Sequence, residues 1–370
     1  MAQESKSKVA IIGGGPAGCF CAYHLQNNFE VTIFDKKSPL LTLLPTGGGR
    51  CNLAHAEFDF KELAKNYPRG EKFLYSIFSK FATSETLDFF NSIGIETYTQ
   101  DNLRIFPTSN SAKDVREKFL NKLNKVKFIK EEVLRINEGY SIVTNLGAYK
   151  ADFIVIAIGG HASYKFIEFL GHQIISPKPA LVGLQTKEDF SSISGVCINN
   201  ILFTHKGVSG PKIYELSSLK AREAFPYKLT FDFMPEIDLQ QELNNNPHKS
   251  IKNLLAEYFP KSFCEFILNR LKINADEKCH KINGKTRDKI VTYLENFEIN
   301  VTNTVADGET VTAGGVNLKE INPKTLESKL KPRIYFCGEV MDIDGFCGGF
   351  NLQNCWSTGF VVTESIKSVL

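Results

Sequence analysis

Residues 8–35 read KVAIIGGGPAGCFCAYHLQNNFEVTIFD, and this stretch decides the fold. Its first part, Val9–Ile12, is a short apolar run rich in β-branched residues, which is typical of a strand buried on both faces. Gly13, Gly15 and Gly18 follow at G-x-G-x-x-G spacing. A strand that leads into this glycine pattern and then a helix predicts half of a nucleotide-binding fold.

Each glycine of the turn has its own physical role in a dinucleotide site. The first makes the tight turn, the second lets the backbone approach a pyrophosphate, and the third lets the helix pack closely on the sheet. Pro16 and Ala17 open the helix between them. Proline suits this place because its missing N–H would have no partner within the helix.

The second strand of the unit, Glu30–Phe34, ends at an acidic side chain. Asp35 stands where such proteins accept hydrogen bonds from ribose hydroxyls, and Lys36 follows it. The complete unit predicts a bound adenine dinucleotide. The alternative is a glycine turn that serves packing alone, and the motif does not separate FAD from NAD.

A second glycine cluster, TGGGRCN, occupies residues 46–52. Gly48 and Gly49 precede Arg50, Cys51 and Asn52. Backbone N–H groups beside a fixed guanidinium predict contact with an anion. A flexible surface loop is the alternative for the same residues.

Two further buried strands lead into glycines. Residues 152–158 end at Gly159 and Gly160, with no second G-x-G-x-x-G, so no separate pyridine-nucleotide domain is predicted. Residues 334–337 end at Gly338 and Glu339. A last helix beginning near Asn351 then offers free N–H groups and a partial positive charge to the strand ends.

The hydrophobic pattern changes along the chain and predicts three domains. Alternation in residues 186–235 and 292–313 indicates a β-rich inserted domain, and helical periodicity in 236–291 indicates a helical insert. Residues 1–185 and 314–370 form the discontinuous nucleotide-binding domain. Within it, 71–93 has the pattern of one helix, and 128–136 that of a strand in a small meander.

Composition narrows the classes of protein. The 44 Lys and Arg residues against 41 Asp and Glu give a formal charge of +3, which does not call for a nucleic-acid partner. No apolar run approaches the ~18 residues that a membrane helix needs, so no membrane association is expected. The four apolar residues before the glycines are too few for a signal sequence, so a cytoplasmic location is expected. Nine cysteines without C-x-x-C pairs indicate reduced thiols and no metal site.

The motifs together resemble a known family. GGGPAG with Asp35, TGGGRCN, VTAGGV at 311–316, and PKTLESKLKPRIYFCGEVMDIDG followed by GGFNLQ resemble the YhiN/BaiN-type NAD(P)/FAD-dependent oxidoreductases, also labelled aminoacetone-oxidase-family flavoproteins. TGGGRCN and the GEVMDIDG stretch are the most specific parts. The family usually continues RCN with one residue and then Thr-Asn, whereas Leu53-Ala54-His55 stands here.

The resemblance implies an α/β fold with a glutathione-reductase-like FAD-binding Rossmann domain, an inserted β-barrel-like domain and a small helical domain. It implies FAD as cofactor, with adenine near Val133, the ribityl chain near Gly338 and Glu339, and the flavin ring near the last helix. The cofactor-binding residues predicted from the patterns and the resemblance are Gly13, Gly15, Pro16, Ala17, Gly18, Asp35, Lys36, Gly48, Gly49, Arg50, Cys51, Asn52, Val133, Gly159, Gly160, Gly338, Glu339, Gly348, Gly349, Phe350, Asn351 and Leu352.

The predicted function is that of an FAD-dependent oxidoreductase of an unidentified small molecule, with the flavin reduced by NAD(P)H as a transient reductant or by the substrate itself. The alternatives are a flavin-dependent tRNA-modifying enzyme and a non-catalytic flavin-binding protein. The catalytic acid or base is not identified from the sequence. His161 and His205 are candidates, and hydrogen-bonded loop histidines are the alternative for both.

Overall fold

The computed structural model describes residues 6–234, 237–305 and 311–369. The chain divides into two compact units, Met1–Lys178 with Val311–Leu370, and Pro179–Thr310. The predicted domain limit at 235/236 lies outside the described residues. The strands of the first unit are β1 Lys8–Ile12, β2 Glu30–Phe34, β3 Ala54–His55, β4 Thr97–Thr99, β5 Arg104–Pro107, β6 Lys127–Ile129, β7 Val133–Asn137, β8 Ser141–Thr144, β9 Ala148–Lys150, β10 Phe153–Ile156, β11 Ile174–Ala180, β18 Val311–Val316 and β19 Ile334–Phe336.

The helices of the first unit are interspersed with these strands along the sequence. They are α1 Pro16–Leu25, α2 Phe60–Ala64, α3 Glu71–Phe78, α4 Thr83–Ser92, α5 Ala112–Asn121, α6 Lys165–Phe169 and α12 Phe350–Lys367. In the second unit the strands are β12 Leu184–Thr186, β13 Cys197–Ile198, β14 Ile201–Thr204, β15 Gly207–Ser209, β16 Tyr227–Phe231 and β17 Phe297–Thr304, and the helices are α7 Pro211–Leu219, α8 Leu239–Asn245, α9 Ile251–Leu255, α10 Lys261–Leu271 and α11 Gly284–Glu295.

A five-stranded parallel sheet forms the centre of the first unit, in the order β19-β10-β1-β2-β6. β1 lies in its middle, and all four residues of its apolar run are buried, which explains why the sequence has no polar alternation there. The predicted β-α-β unit is present, because β1 pairs in parallel with β2 over five residue pairs. The carboxyl ends of the strands therefore share one edge.

α1 and α12 pack against each other, and their buried side chains form part of the hydrophobic core of this unit. Gly359 of α12 allows the close approach, since a Cβ there would stand 2.9 Å from the carbonyl oxygen of Ala17. Trp356 is fully buried, and its ring centroid lies 5.6 Å from that of Phe20 on α1 and 5.3 Å from that of Phe90 on α4. The two ends of the chain thus fold together.

Two predicted elements differ from the observed ones. The helix predicted over 71–93 is two helices, α3 and α4, because Ala82 has extended backbone and its N–H donates to the Glu85 carboxylate at 2.8 Å. The strand predicted over 128–136 is also divided. β6 pairs with β2 in the parallel sheet, whereas β7 pairs with β8 in the three-stranded meander β7-β8-β9.

The second unit contains an antiparallel sheet in the order β13-β14-β15-β12-β17-β16, with α8 to α11 between β16 and β17 in the chain. Its edge strands in the described residues are β13 and β16, and barrel-like closure stays a prediction. α11 runs past the predicted limit at 291, since Leu294 continues its buried face. The limits predicted at 185/186 and 313/314 fall within β12 and β18, whereas the compact units meet at 178/179 and 310/311.

Candidate functional site

The carboxyl edge of the parallel sheet brings three predicted segments together. The Gly13 N–H donates to the carbonyl oxygen of Phe34 at the end of β2, at 2.8 Å. The Ala157 N–H donates to Ile12 at 2.8 Å, and the Cys337 N–H to Ile156 at 3.1 Å. The turns after β1, β10 and β19 are thus held side by side, which is where open α/β sheets bind their ligands.

The three glycines of the turn differ in the space around them. Two have no room for a side chain, and one faces free space. Gly13 has a φ of 110°, and a Cβ there would stand 2.3 Å from the Ala157 carbonyl oxygen. A Cβ on Gly18 would stand 2.1 Å from the Gly13 carbonyl oxygen. At Gly15, in contrast, the nearest atom to a Cβ is Thr42 Oγ1 at 3.8 Å.

Gly15 therefore leaves space in front of the first turn of α1. This helix begins with Pro16 and Ala17, and no side chain caps its N-terminus. The free N–H groups of such a turn attract phosphate. A cradle that a single Cβ would fill, next to uncapped N–H groups, fits a pyrophosphate.

Asp35 is held by the backbone around it. Its Oδ2 accepts a hydrogen bond from the Gly14 N–H at 2.7 Å, and its Oδ1 accepts one from the Lys37 N–H at 2.8 Å. Each carboxylate oxygen has a further lone pair. The side chain is thus oriented by its neighbours and can still accept hydrogen bonds from a ribose.

The neighbouring residues join Asp35 to the start of the meander. Lys36 is exposed, and its Nζ lies 3.5 Å from Glu132 Oε1. Val133, the next residue, begins β7 and is 9% exposed. This ion pair therefore connects the residue after Asp35 with the residue before Val133, and the ammonium of Lys36 is paired with a carboxylate.

The TGGGRCN loop is folded on itself and on β5. Arg50 Nε donates to the Gly47 carbonyl oxygen at 3.3 Å, and the guanidinium lies 4.2 Å from the centre of the Phe106 ring. Gly48 and Gly49 are exposed and have φ values of 68° and 84°. The cation is thus anchored by stacking, and no partner of its two terminal nitrogens is present in the described part of the chain.

Cys51 and Asn52 point inward from this loop. Burial raises the pKa of the Cys51 thiol to about 12, against a lowering by the Thr46 hydroxyl, so the group is a neutral thiol rather than a thiolate. Asn52 is 8% exposed, and its Oδ1 has no hydrogen-bond partner among residues 6–234, 237–305 and 311–369. A buried acceptor without a donor is costly, which fits a site completed by an N–H of a ligand.

The residues after Asn52 lie against the first turns of α12. The Leu53 carbonyl oxygen accepts a hydrogen bond from Trp356 Nε1 at 2.9 Å. Gly349, the N-cap of α12, has a φ of 102°, and a Cβ there would stand 2.4 Å from the Ala54 carbonyl oxygen. Two segments almost 300 positions apart in sequence, around Asn52 and around Gly349, are therefore neighbours in space.

The start of α12 is shaped by its own side chains. Asn351 Oδ1 accepts from the Gly345 N–H at 2.9 Å, and its Nδ2 donates to the Gly345 carbonyl oxygen at 2.8 Å. Phe350 is buried and Leu352 is half-buried. No side chain caps the helix. Asn351 thus fixes the preceding loop, and the free N–H groups of the first turn are left for a ligand.

The glycines that follow β10 and β19 complete this edge of the sheet, and Gly338 contacts both α1 and α12. A Cβ on Gly338 would stand 2.8 Å from Ala17 Cβ of α1, and the Gly338 N–H donates to Thr358 Oγ1 of α12 at 2.9 Å. Glu339 is half-buried. Gly159 has a φ of 74° and open space where its Cβ would be. These residues line the same edge as the glycine turn.

Tyr164 and Thr312 hold this part of the edge in place. The Tyr164 hydroxyl donates to the carbonyl oxygens of Gly159 and Gly160 at 3.3 and 3.4 Å. Burial raises its pKa, and the negative charges of Glu339 and Asp342 raise it further. A Cβ on Gly160 would stand 2.5 Å from Thr312 Cβ, so this glycine serves close packing.

Sequence reasoning missed two features of the site. Arg69 and Asp344 form an ion pair, in which the carboxylate is fully buried and the cation 11% exposed. His55 contacts the turn before α12, with Nδ1 3.1 Å from the Gly348 carbonyl oxygen. The available signal for His55 was its departure from the family pattern after RCN. His161 and His205, the histidines considered instead, are both exposed, and His205 belongs to the second unit.

Neither a metal centre nor a membrane span is found in the part of the chain that the structure describes. No group of three or more His, Cys, Asp or Glu side chains there could hold a metal ion. None of the described helices is long and apolar enough to cross a bilayer.

Known proteins resemble this chain along its whole length. Residues 7–365 match the family described as HI0933-like protein Rossmann domain. The chain is 27% identical to the 3-dehydro-bile acid delta(4,6)-reductase of Clostridium scindens, over 96% of this chain and 98% of that protein. It is 28% identical to the ribosomal RNA dihydrouridine synthase of Escherichia coli, over 96% of this chain and 97% of that protein.

A solved structure shows the same fold at low identity. The 3-ketosteroid delta1-dehydrogenase of Sterolibacterium denitrificans superposes with a TM-score of 0.52 and 12% identity, over 99% of this chain and all of that one. A flavocytochrome c3 fumarate reductase gives a TM-score of 0.50 and 12% identity, over 99% of this chain and 79% of that one. The chain thus has the Rossmann-type α/β fold of FAD-binding enzymes.

Proposed function

Since this chain belongs to the HI0933-like Rossmann family of FAD-dependent oxidoreductases, we propose that it reduces a carbon–carbon double bond conjugated to a carbonyl group in a small molecule. The names of its relatives support this substrate class. A 3-dehydro-bile acid delta(4,6)-reductase acts on double bonds conjugated to a ketone. A dihydrouridine synthase reduces the ring double bond of uridine, which is conjugated to a ring carbonyl.

The residues of the sheet edge fit FAD in this proposal. The glycine turn with Pro16 and Ala17 would bind the pyrophosphate, Asp35 the adenosine ribose, and Val133 the adenine through its backbone. Gly338 and Glu339 would border the ribityl chain. The remaining proposed contacts are Lys36, Gly48, Gly49, Arg50, Cys51, Asn52, Gly159, Gly160, Gly348, Gly349, Phe350, Asn351 and Leu352.

The observation that carries the proposal is the pairing of Asn52 with the start of α12. The pyrimidine edge of a flavin presents one N–H between two carbonyl groups. The unpaired Oδ1 of Asn52 is an acceptor, and the uncapped first turn of α12 supplies donors. This arrangement of one acceptor beside several donors complements such an edge. Within the described residues, no protein group pairs with the Asn52 Oδ1 and no side chain caps α12.

When bound and reduced, FAD would supply the hydride for the carbon that is β to the carbonyl. The chain contributes the environment for this transfer. The positive end of α12 stabilises negative charge that develops beside it. Because Cys51 is held as a buried neutral thiol, it adds no competing anion to the loop.

NAD(P)H is the proposed reductant. It would bind transiently, because the sequence has no second G-x-G-x-x-G motif. The nine free cysteines support the cytoplasm as the proposed location.

The test begins with the purified protein under anaerobic conditions. We expect a yellow protein whose flavin is bleached by NADH or NADPH and recovers its colour when a cyclic enone or a 3-keto-4-ene steroid is added. Recovery with oxygen alone, together with bleaching by amines, would indicate an oxidase and contradict the proposal. A bound flavin that no donor bleaches would indicate a binding protein.

Uridine in RNA is a second candidate substrate, and one observation favours it. Residues 249–289 contain ten Lys and Arg residues and five Asp and Glu residues. Within the described residues, Lys261, Lys272, Lys278, Lys281 and Lys285 are exposed and have no carboxylate partner. Free cations attract a phosphate backbone in a salt-dependent manner. Salt-sensitive RNA retention with reoxidation by RNA but not by enones would support this candidate.

A further inference from the structure

His55 is held in one tautomer by its contact with the turn before α12. Its Nδ1 lies 3.1 Å from the carbonyl oxygen of Gly348. A carbonyl oxygen only accepts hydrogen bonds, so Nδ1 must carry the hydrogen. In the neutral ring, Nε2 therefore keeps its lone pair. This contact is the only hydrogen bond of the ring among the described residues.

The ring cannot easily turn away from this position. It stacks on Phe350, the first residue of α12, with ring centroids 4.5 Å apart and planes inclined by 30°. The backbone of His55 is fixed as well, since its carbonyl oxygen accepts from Thr83 Oγ1 at 3.1 Å and its strand pairs with β5 at Arg104. The imidazole thus has the fixed orientation that proton transfer requires.

Charged and buried groups around the ring act on its pKa in opposite directions, and the net effect is to lower it. Burial lowers its pKa, the Gly348 hydrogen bond raises it, Arg104 on β5 lowers it and Glu57 raises it. The first turn of α12 carries no acidic residue, and Thr83 is the contact from α4. The ring is half-buried, so it can exchange protons with solvent.

We propose that His55 is the group that delivers the proton to the carbon next to the carbonyl, a role that rests on the function proposed above. In the protonated ring, Nε2–H gives its proton to the α-carbon while the β-carbon gains the hydride. The electron pair of the double bond forms the new C–H bond. In total the substrate gains one hydride, which brings both electrons of the reduction, and one proton. His55 is left neutral, with Nδ1–H still donated to Gly348, and regains a proton from water.

The competing explanation is that His55 only joins β3 to the turn before α12. His55→Asn separates the two, because the Asn Nδ2 can donate to the Gly348 carbonyl as Nδ1 does but cannot carry a proton in exchange. His205→Asn, an exposed histidine of the second unit, is the matched control. Both variants are to be compared with the wild-type holoenzyme at equal flavin content.

The kinetic test reoxidises the anaerobically reduced protein in two ways. With a cyclic enone, we expect His55→Asn to be about 100-fold slower or worse than wild type, the contribution of a positioned acid. With ferricyanide, which takes electrons without protonating carbon, the rates should agree within about twofold. The wild-type enone rate should fall as pH rises through the pKa of His55, and this step should vanish from the pH profile of His55→Asn.

A second readout does not depend on turnover. Nitrogen NMR of the protein labelled with 15N-histidine should show the signal of an Nδ1–H tautomer, and this signal should be absent from His55→Asn. The midpoint of its titration should lie below the usual histidine value of ~6.5. An Nε2–H tautomer would overturn the inference. So would a His55→Asn protein with the wild-type enone rate and pH profile, or one that loses FAD. If no enone reoxidises the wild-type protein, the proposed function fails, and this role of His55 fails with it.

Discussion

Replacing Gly15 by alanine tests the pyrophosphate site without disturbing the chain. Gly15 has φ −76° and ψ −174°, which alanine adopts without strain. An added Cβ would meet nothing nearer than Thr42 Oγ1 at 3.8 Å. We therefore expect the protein without cofactor to fold with unchanged or slightly higher stability, since alanine restricts the unfolded chain by about 0.4–1 kcal/mol.

The same methyl group should weaken FAD binding. It would occupy the space in front of the first turn of α1, where the phosphate oxygens would accept backbone N–H bonds. A hydrogen bond to a charged group contributes about 1.5–3 kcal/mol. The loss of one such bond raises the Kd about 10- to 150-fold. Titration of the cofactor-free protein with FAD, followed by flavin fluorescence, measures this change.

A matched variant and a folding measurement decide how the result is interpreted. Gly284→Ala, at the first residue of α11, adds a methyl group in the second unit near Arg287 Nη2 at 3.7 Å, and it should leave FAD binding unchanged. Thermal unfolding should show that Gly15→Ala remains folded. If this variant binds FAD as tightly as wild type, the turn after β1 is not the pyrophosphate site.

Three further outcomes are expected. Asp35→Ala should weaken FAD retention about 10-fold or more, while turnover per bound flavin stays unchanged; reduced turnover at full occupancy would contradict a role confined to the adenosine end. Arg69→Met should lower the free energy of unfolding in urea by about 3–5 kcal/mol, because it leaves the fully buried Asp344 carboxylate without this cation. Burial and then Lys367 lower the pKa of His24 to about 4. As pH falls below ~6.5, His24 is therefore protonated in the unfolded chain before it is protonated in the native state. By pH 4.5 the free energy of unfolding of the wild-type protein should fall by about 2–3 kcal/mol more than that of His24→Leu. Equal pH dependence of the two proteins would refute this.

The glycine turn and its two strands could be predicted because their signals are local. β1 is apolar from Val9 to Ile12 since this part is covered on both faces, and Asp35 follows β2 directly in the chain. The positions of Gly13 and Gly18 follow from steric limits within one β-α-β unit, where spacing alone determines which atoms meet. No distant contact is needed to specify any of these features.

Partner choice, in contrast, depends on contacts that the local pattern does not contain. Phe128 lies in β6, which pairs with β2, whereas the similar pattern from Val133 onward pairs with β8. Alternation reports that a segment is extended and half-buried, but any neighbouring strand satisfies it. The break between α3 and α4 has the same origin, since the apolar residues on both sides continue a helical spacing across Ala82.

The proposed proton carrier is the clearest case of a property that only the fold creates. In the sequence, His55 is one histidine of seven and is separated from Gly348 by 293 positions. Its tautomer is set by that distant carbonyl group, and its ring plane by Phe350. Gly349 permits the approach because any side chain there would collide with Ala54. A glycine at the end of the chain thus determines the chemistry of a histidine near its beginning. Gly349→Ala should therefore disturb the His55 tautomer as well as the start of α12, and an unchanged Nδ1–H signal in this variant would show that the two are independent.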